Sequence, residues 1–382
     1  MKIIVAPDSY KGSLSSVEVA NAMELGILRA MPAAEVVKIP MADGGEGTVH
    51  AVITAAGGDI RRTVVTGPLG EKITSFYGIL HDGKTAVIEM AAASGLTLVP
   101  ESKRNPLMTT TYGTGEFIKQ AIDDGCKKLI IGIGGSATND GGMGMAQALG
   151  VKFYDRDSHL LGMGGQELEK IAFIDTRFLH PKIKDTEILV ACDVNNPLCG
   201  PTGASYVYGP QKGATPEMVE KLDQGLDHYA KQVKKYLHKD ILNIPGAGAA
   251  GGLGGGLMAF LDATLQPGME IMIEITNLEE KLKDAHLVIT GEGKTDAQTT
   301  YGKVPMGIAN LAKKYHIPVI CLSGSIENSS GSFYEKGITA LFSIVNGPMH
   351  LTDAMAQGFE LITQATENLM RLYVGIRNFQ PR

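Results

Sequence analysis

The sequence has no cysteines at C-x-x-C spacing, no H-E-x-x-H, no G-x-S-x-G and no long apolar run free of charge. Its four cysteines, Cys126, Cys192, Cys199 and Cys321, are widely spaced. That spacing argues against a zinc ribbon or a thioredoxin-type site and fits reduced thiols in a cytoplasmic protein. None of the nine histidines falls into a paired metal spacing. The apolar stretch Met1–Pro7 is too short for a signal peptide and is expected to form a first strand. The most membrane-like segment, Gly246–Ala263, is rich in glycine and interrupted by Asp262. Glycine adds little hydrophobicity, so a glycine-rich loop and a close-packed helix are expected there, not a membrane span. A formal net charge of -6 argues against a nucleic-acid binder. It leaves an anionic small substrate open, because local positive potential can exist within an acidic protein.

What is present is an ordinary globular composition, 44% hydrophobic and 20% charged over 382 residues, long enough for two or three domains. No internal repeat or low-complexity linker breaks it. A β-rich start is followed by Ser15-x-x-Glu18, a capping box, with Val19, Met23, Ile27 and Met31 at helical spacing. Val36–Ile39 reads as the next strand and about Gly47–Ala56 as the next helix. Strand, helix, strand, helix implies parallel β-structure with crossover helices. The pattern changes near Thr66-Gly67-Pro68-Leu69-Gly70. There Ile73–Leu80 and Thr85–Met90 read as strands of a hairpin joined by His81-Asp82-Gly83-Lys84. Buried strands follow at Lys128–Ile133 and Ile188–Cys192, and a polar surface helix at Pro216–Leu237. Alternating β and α returns from His286. The fold class is α/β, with a discontinuous domain, residues 1–68 plus 285–382, and an inserted mixed-sheet domain, residues 69–284.

Four polar, glycine-rich clusters each follow a predicted strand: Asp8–Ser13, Asp43–Thr48, Gly134–Gly142 and Thr290–Asp296. Loops at the carboxyl ends of parallel strands are where open α/β sheets bind ligands. Glycine lets the backbone approach a ligand closely, and exposed N–H groups suit anions. Interleaved Asp and Glu add metal-binding or proton-transfer capacity. The combination points to phosphoryl transfer to a small polar substrate. Two other spellings compete. Gly78–Thr85 satisfies the Walker A pattern, but the next residues, Ala86–Met90, read as a strand where that motif needs a helix. Gly132-x-Gly134-x-x-Ala137 matches a loose dinucleotide fingerprint, with Asp155 at a plausible distance for a ribose contact. Asp193 follows four apolar residues and reads either as a turn carboxylate or as a base or magnesium ligand at a strand end.

These clusters, in this order, closely resemble the bacterial type-1 glycerate kinase family. The matching stretches are Ala6–Leu14, Met41–Thr48, Gly134–Gly142, Cys192–Leu198, Thr290–Thr299 and Gly302–Pro305, spread through nearly the whole chain. Tyr10 stands where the family more often has Phe. The resemblance implies phosphorylation of D-glycerate with ATP and Mg2+, with 2-phosphoglycerate as the product. It also implies a flavodoxin- or Rossmann-like parallel-sheet domain and an inserted, restriction-enzyme-like mixed α/β domain, with the active site in the cleft between them.

Residue roles rest on chemistry. Lys11, Asp193, Asp296 and Lys294 are the candidate catalytic residues. Ser9, Asp43, Glu46, Ser136, Asn139, Asp140, Gln298 and Lys303 are candidates for substrate contact. Gly134, Gly135, Gly291 and Gly293 are candidates for nucleotide contact, and Asp43, Asp193 and Asp296 for the metal. The alternatives are an NAD-dependent hydroxy-acid oxidoreductase acting through Gly132-x-Gly134, a non-catalytic sugar-acid-binding protein, and 3-phosphoglycerate as the product. No nucleic-acid or membrane partner is expected. The sequence does not fix the oligomeric state and leaves a homo-oligomer open.

Overall fold

The computed structural model describes residues 1–296, 299, 303–327 and 331–378. In chain order its strands are β1 (Lys2–Val5), β2 (Glu35–Lys38), β3 (Gly58–Thr66), β4 (Lys72–Leu80), β5 (Thr85–Glu89), β6 (Lys128–Gly132) and β7 (Lys152–Tyr154). They continue with β8 (Phe173–Asp175), β9 (Glu187–Ala191), β10 (Thr264–Gln266), β11 (Leu287–Thr295), β12 (Val319–Ile326) and β13 (Ala340–Ser343). The chain forms two compact units. One holds Met1–Ala42, His50–Gly57 and Met269–Arg382, the other Asp43–Val49 and Gly58–Gly268.

The first unit carries a five-stranded parallel sheet in the order β13-β12-β11-β1-β2. Numbered within this unit alone, the order is 2-1-3-4-5, the flavodoxin-like arrangement, whose ligand crevice opens where the strand order reverses. Here that point lies between β1 and β11. The helix Ser16–Ala30 starts as the sequence dictates. Ser15 Oγ accepts from the Glu18 N–H, and Glu18 in turn accepts from the Ser15 N–H. Val19, Met23 and Ile27 then fall on one face and are fully buried with Ile3, Val5, Ile289 and Leu322. The helix Gly358–Asn378 contributes Ile362 and Met370 to the same core.

The second unit carries a six-stranded sheet in the order β10-β9-β6-β5-β4-β3. β10, β9, β6 and β5 run parallel, while β4 and β3 run antiparallel, so the sheet is mixed. The Walker A spelling falls in the β4–β5 hairpin. Asp82 accepts from the N–H groups of Lys84 (2.8 Å) and Thr85 (2.9 Å), and so fixes a turn. Lys84 therefore precedes a strand, with no helix N-terminus to hold a phosphate. For the ATP-dependent reaction that the resemblance implies, Lys84→Ala is expected to leave turnover and the nucleotide KM within about twofold, the effect of an ordinary surface substitution. A collapse of activity in the folded variant would contradict this assignment.

The glycine-rich segment near residue 250 becomes the helix Ala249–Leu261, entered through left-handed residues at Ala250, Gly251 and Gly252. Among the described residues no helix is long and apolar enough to cross a membrane. The helix Pro216–Leu237, expected on the surface, turns one apolar stripe of Val219, Leu222, Leu226, Tyr229 and Val233 into the core and keeps its charges outside.

Three segments fall outside the expected domain limits. Residues 58–66 form β3, whose nine residues pair with β4, so they belong to the mixed sheet instead of the first unit. Residues 269–284 group with the first unit; Lys281, for example, donates to the Ala55 carbonyl at 3.3 Å. The glycine-rich loop Asp43–Val49 groups with the second unit, because its backbone bonds to groups at the carboxyl ends of β5 and β6.

Candidate functional site

In the first unit, candidate residues gather at the carboxyl ends of β1, β11 and β12. The loop after β1 is shaped by Tyr10, Ser13 and Leu14. Tyr10 is buried and its hydroxyl donates to the Leu322 carbonyl at 2.8 Å, while the Tyr10 N–H donates to the Leu14 carbonyl at 2.8 Å. Ser13 Oγ donates to the Met355 carbonyl at 2.6 Å. Lys11 is exposed at the tip and Ser9 is half-buried. Gly291 is required by packing, since a β-carbon there would overlap the Leu322 carbonyl oxygen and press on the Tyr10 hydroxyl. Its lack of a side chain is thus explained by the protein's own chain, without the nucleotide expected there. Gly293 has only ordinary clearance from Tyr10 and Lys11.

At the end of β11 stands a carboxylate absent from the expected set. Glu292 is 5% exposed and accepts from Thr295 Oγ1 (2.9 Å) and Thr299 Oγ1 (2.7 Å). Burial pushes its carboxyl up; the two threonine hydroxyls and Lys303 oppose this, and Asp296 adds to it. Lys303 lies 3.8 Å from Glu292 and 3.6 Å from Asp296, just before the helix Val304–Lys313. Lys294 lies 2.6 Å from Glu327 and 3.8 Å from Asp296. The structure thus brings Lys294, Asp296 and Lys303 into one network of two cations and three carboxylates. Gln298 lies outside the described residues.

In the second unit, the loop Asp43–Val49 lies against the carboxyl ends of β5, β6 and β9. β-Carbons at Gly132 and Gly134 would overlap the backbone of Gly44 and Gly45, and the Gly134 N–H donates to the Gly44 carbonyl at 3.0 Å. Two glycine loops therefore meet backbone to backbone. This contact accounts for the glycines of the fingerprint, Gly134 included, without a dinucleotide. Asp155 closes a turn after β7 by accepting from the Asp157 (2.9 Å) and His159 (2.8 Å) N–H groups.

Glu89, the last residue of β5, also escaped the sequence reading. It is 2% exposed and holds the start of the helix Thr48–Ala56 with both oxygens, accepting from the Gly47 and Val49 N–H groups at 2.8 Å each. Burial pushes its carboxyl up to about 7; the two N–H bonds oppose this and the exposed Glu46 adds to it. Glu89→Gln would turn an amide NH2 toward one of those donors. The expected cost is about 1–3 kcal/mol of stability, that of an unmade buried hydrogen bond. The raised value also sets a sign. Between the ordinary glutamate range and about pH 7 the folded state holds a proton that the unfolded state releases, so this contribution to stability falls as pH rises through that window. Urea unfolding at pH 5 and pH 8 checks both points: the pH difference should shrink in Glu89→Gln, and an unchanged difference would contradict the assignment.

Asp43 and Asp193 come together at Gly268. The Gly268 N–H donates to Asp193 Oδ1 at 2.9 Å, and a β-carbon on Gly268 would lie 3.3 Å from both Asp193 Oδ2 and the Asp43 carbonyl oxygen. Asp43 Oδ1 accepts from the Gly45 N–H at 3.1 Å. Loss of hydration pushes the Asp193 carboxyl up against the Gly268 N–H bond, and the nearby Asp43 charge pushes it further. Both residues are exposed. Of the three carboxylates expected to bind metal, these two share the second unit and Asp296 belongs to the first.

Beyond Gly135 the loop turns inward. Asp140 is fully buried, and it accepts from the Thr111 N–H (2.8 Å) and hydroxyl (2.9 Å), the Gly142 N–H (3.1 Å) and the Gly144 N–H (3.3 Å). Asn139 is also fully buried and donates to Ser205 Oγ at 3.0 Å. Both were expected to touch substrate; Asp140 is held by donors within the chain, and Asn139 Oδ1 is buried with no hydrogen-bond partner among the described residues. Ser136 is 8% exposed, next to the exposed Gly135. Its partner is Lys212, which the sequence did not single out.

The model for the family described as "Glycerate kinase family" matches residues 3–374. The chain belongs to the glycerate kinase family. It is 54% identical over 379 residues to "Glycerate 2-kinase" of Escherichia coli (strain K12), covering 99% of this chain and 100% of that one. It is 52% identical over 369 residues to "Glycerate kinase" of Bacillus subtilis (strain 168), covering 97% of each. A crystal structure of a protein designated glycerate kinase 2 from Salmonella typhimurium LT2 superposes with a TM-score of 0.89 at 48% identity, covering 100% of both chains. Membership in the glycerate kinase family makes the chain a kinase, a phosphotransferase with an alcohol acceptor, and gives no support to the NAD-dependent reading.

Proposed function

We propose that this glycerate kinase transfers the γ-phosphoryl group of ATP to the 2-hydroxyl of D-glycerate, giving 2-phosphoglycerate and ADP. The observation that carries the reading is that Asp193, just past the carboxyl end of β9, is held at Gly268 beside the Asp43 main chain and feels the Asp43 charge, in a chain of this family. Phosphoryl transfer needs positioning, charge neutralisation and an oriented nucleophile more than covalent help.

Asp193 is the proposed base. It takes the proton of the substrate hydroxyl as that oxygen bonds to the γ-phosphorus, while the bond from the γ-phosphorus to the bridging oxygen breaks and ADP leaves. Asp43 supplies hard oxygen ligands of the kind Mg2+ prefers, and Asp193 and Asp296 are further candidate ligands. A bound Mg2+ would neutralise phosphate charge. In the first unit, Lys11, Lys294 and Lys303 are the cations proposed to offset charge on the anionic reactants. Ser9 and Glu46 are proposed as polar contacts for substrate, Ser136 as a donor to an anionic group, and the backbone of Gly135 and Gly293 as the face turned to nucleotide.

The test is to incubate the protein with Mg-ATP, with and without D-glycerate, and follow ADP. ADP released only with glycerate is the expected result. Binding without turnover, or NADH formed from NAD and a hydroxy acid, would overturn the reading.

A further inference from the structure

We propose that Lys212 is a positioning residue for the oxyanion-binding loop Gly134–Asn139, holding Ser136 as a hydrogen-bond donor to a reactant oxyanion. This rests on the kinase reading above. Lys212 is 1% exposed, yet its Nζ donates to Ser136 Oγ at 2.8 Å and to the Thr138 carbonyl at 2.7 Å. A buried ammonium is costly unless it is well bonded, so two such bonds to a loop 74–76 residues away in the chain need a reason. Burial pushes the ammonium down to about 7 against the opposing pull of Asp140.

The geometry supplies the reason. With the Ser136 oxygen accepting from Lys212, the serine's own proton is directed elsewhere, and Ser136, next to the exposed Gly135, keeps 8% exposure where Thr138, Asn139 and Asp140 keep none. The second bond fixes the Thr138 carbonyl on the ammonium. One buried cation thus orients a hydroxyl, ties down the Thr138 carbonyl and leaves positive potential behind the loop. An oxyanion is the ligand this arrangement suits. Both the carboxylate of glycerate and a phosphate of ATP have that chemistry.

The experiment is steady-state kinetics of the full chain as wild type, Lys212→Met, Ser136→Ala and the double variant, varying D-glycerate and Mg-ATP separately, with urea unfolding alongside. Each single variant should raise one KM at least about tenfold, more than it lowers kcat, the scale of one charge-assisted hydrogen bond. The double variant should lose less than the product of the two single losses, as residues acting through one bond do. A raised KM for glycerate identifies the carboxylate as the oxyanion; a raised KM for ATP identifies a phosphate. Both KM values within about twofold of wild type in a folded Lys212→Met, or losses that simply multiply, would overturn the proposal. Should Lys212→Met fail to unfold cooperatively, Ser136→Ala decides alone, and an unchanged KM there also overturns it. A wild type without glycerate-dependent ADP release is a separate outcome that sinks the kinase reading itself.

Discussion

Asp193→Asn is expected to slow the chemical step at least about a hundredfold, the usual scale of general-base loss, in a protein that stays folded. Asparagine keeps the side chain's shape and an oxygen for the Gly268 N–H, now held at 2.9 Å. What it removes is the charge that takes the substrate proton or binds the metal. In the wild type the acid limb of kcat/KM should lie above the ordinary aspartate range, because reduced hydration and the Asp43 charge raise the Asp193 carboxyl. Activity needs the ionised base, so it falls as pH drops through that raised value, and the limb should vanish in Asp193→Asn. Single-turnover kinetics with and without glycerate measure the effect. Normal turnover with a lowered melting temperature would mean that Asp193 only ties its loop to Gly268.

Lys11→Ala is the second large effect. Removing one donor aimed at developing charge typically costs about 100- to 1,000-fold in kcat, and a loss on that scale is expected here. Lys11 stands at the tip of the β1 loop, where the sheet of the first unit changes strand order. Urea unfolding of the variant alongside the kinetics shows whether it keeps its fold. Lys11→Arg should recover part of the activity, since charge survives and shape does not. Near-wild-type kinetics in Lys11→Ala, at both limiting and saturating substrate, would remove Lys11 from the reaction.

The parallel core of the first unit was legible because each strand is a short apolar run and the capping box at Ser15 announces the first helix. The β4–β5 hairpin was legible from Asp82-Gly83, which outweighed the Walker spelling around it. β3 escaped notice because it is an edge strand. Ile60, Arg61, Arg62 and Val64 are all exposed, so no clean alternation of apolar and polar residues marks it. That omission displaced the expected domain limit from residue 58 to 68.

Within the site, Lys294, Asp296 and Lys303 were found together because they share one stretch of chain. Asp43 and Asp193 were each visible as a carboxylate at a strand end, but a separation of 150 positions hid that the Asp193 carboxylate and the Asp43 main chain both lie beside Gly268. Glu89 offered a weak signal, a charged residue following the apolar run Ala86, Val87 and Ile88. Lys212, between Gln211 and Gly213, offered none, since its meaning lies entirely in bonds to Ser136 and Thr138. The glycines misled in the other direction. Gly134 and Gly291 read as ligand-facing, while the backbones of Gly45 and Leu322 already fill the space beside them.

The central claim is that this chain phosphorylates the hydroxyl next to the glycerate carboxylate. A loop that grips the carboxylate holds the 2-hydroxyl at a fixed distance, with fewer torsions to freeze than for the 3-hydroxyl. The direct measurement couples the reaction to enolase, which consumes 2-phosphoglycerate, with and without phosphoglycerate mutase. Signal from enolase alone is the predicted result. An absolute requirement for the mutase would show that the product is 3-phosphoglycerate and would contradict the carboxylate-anchored geometry.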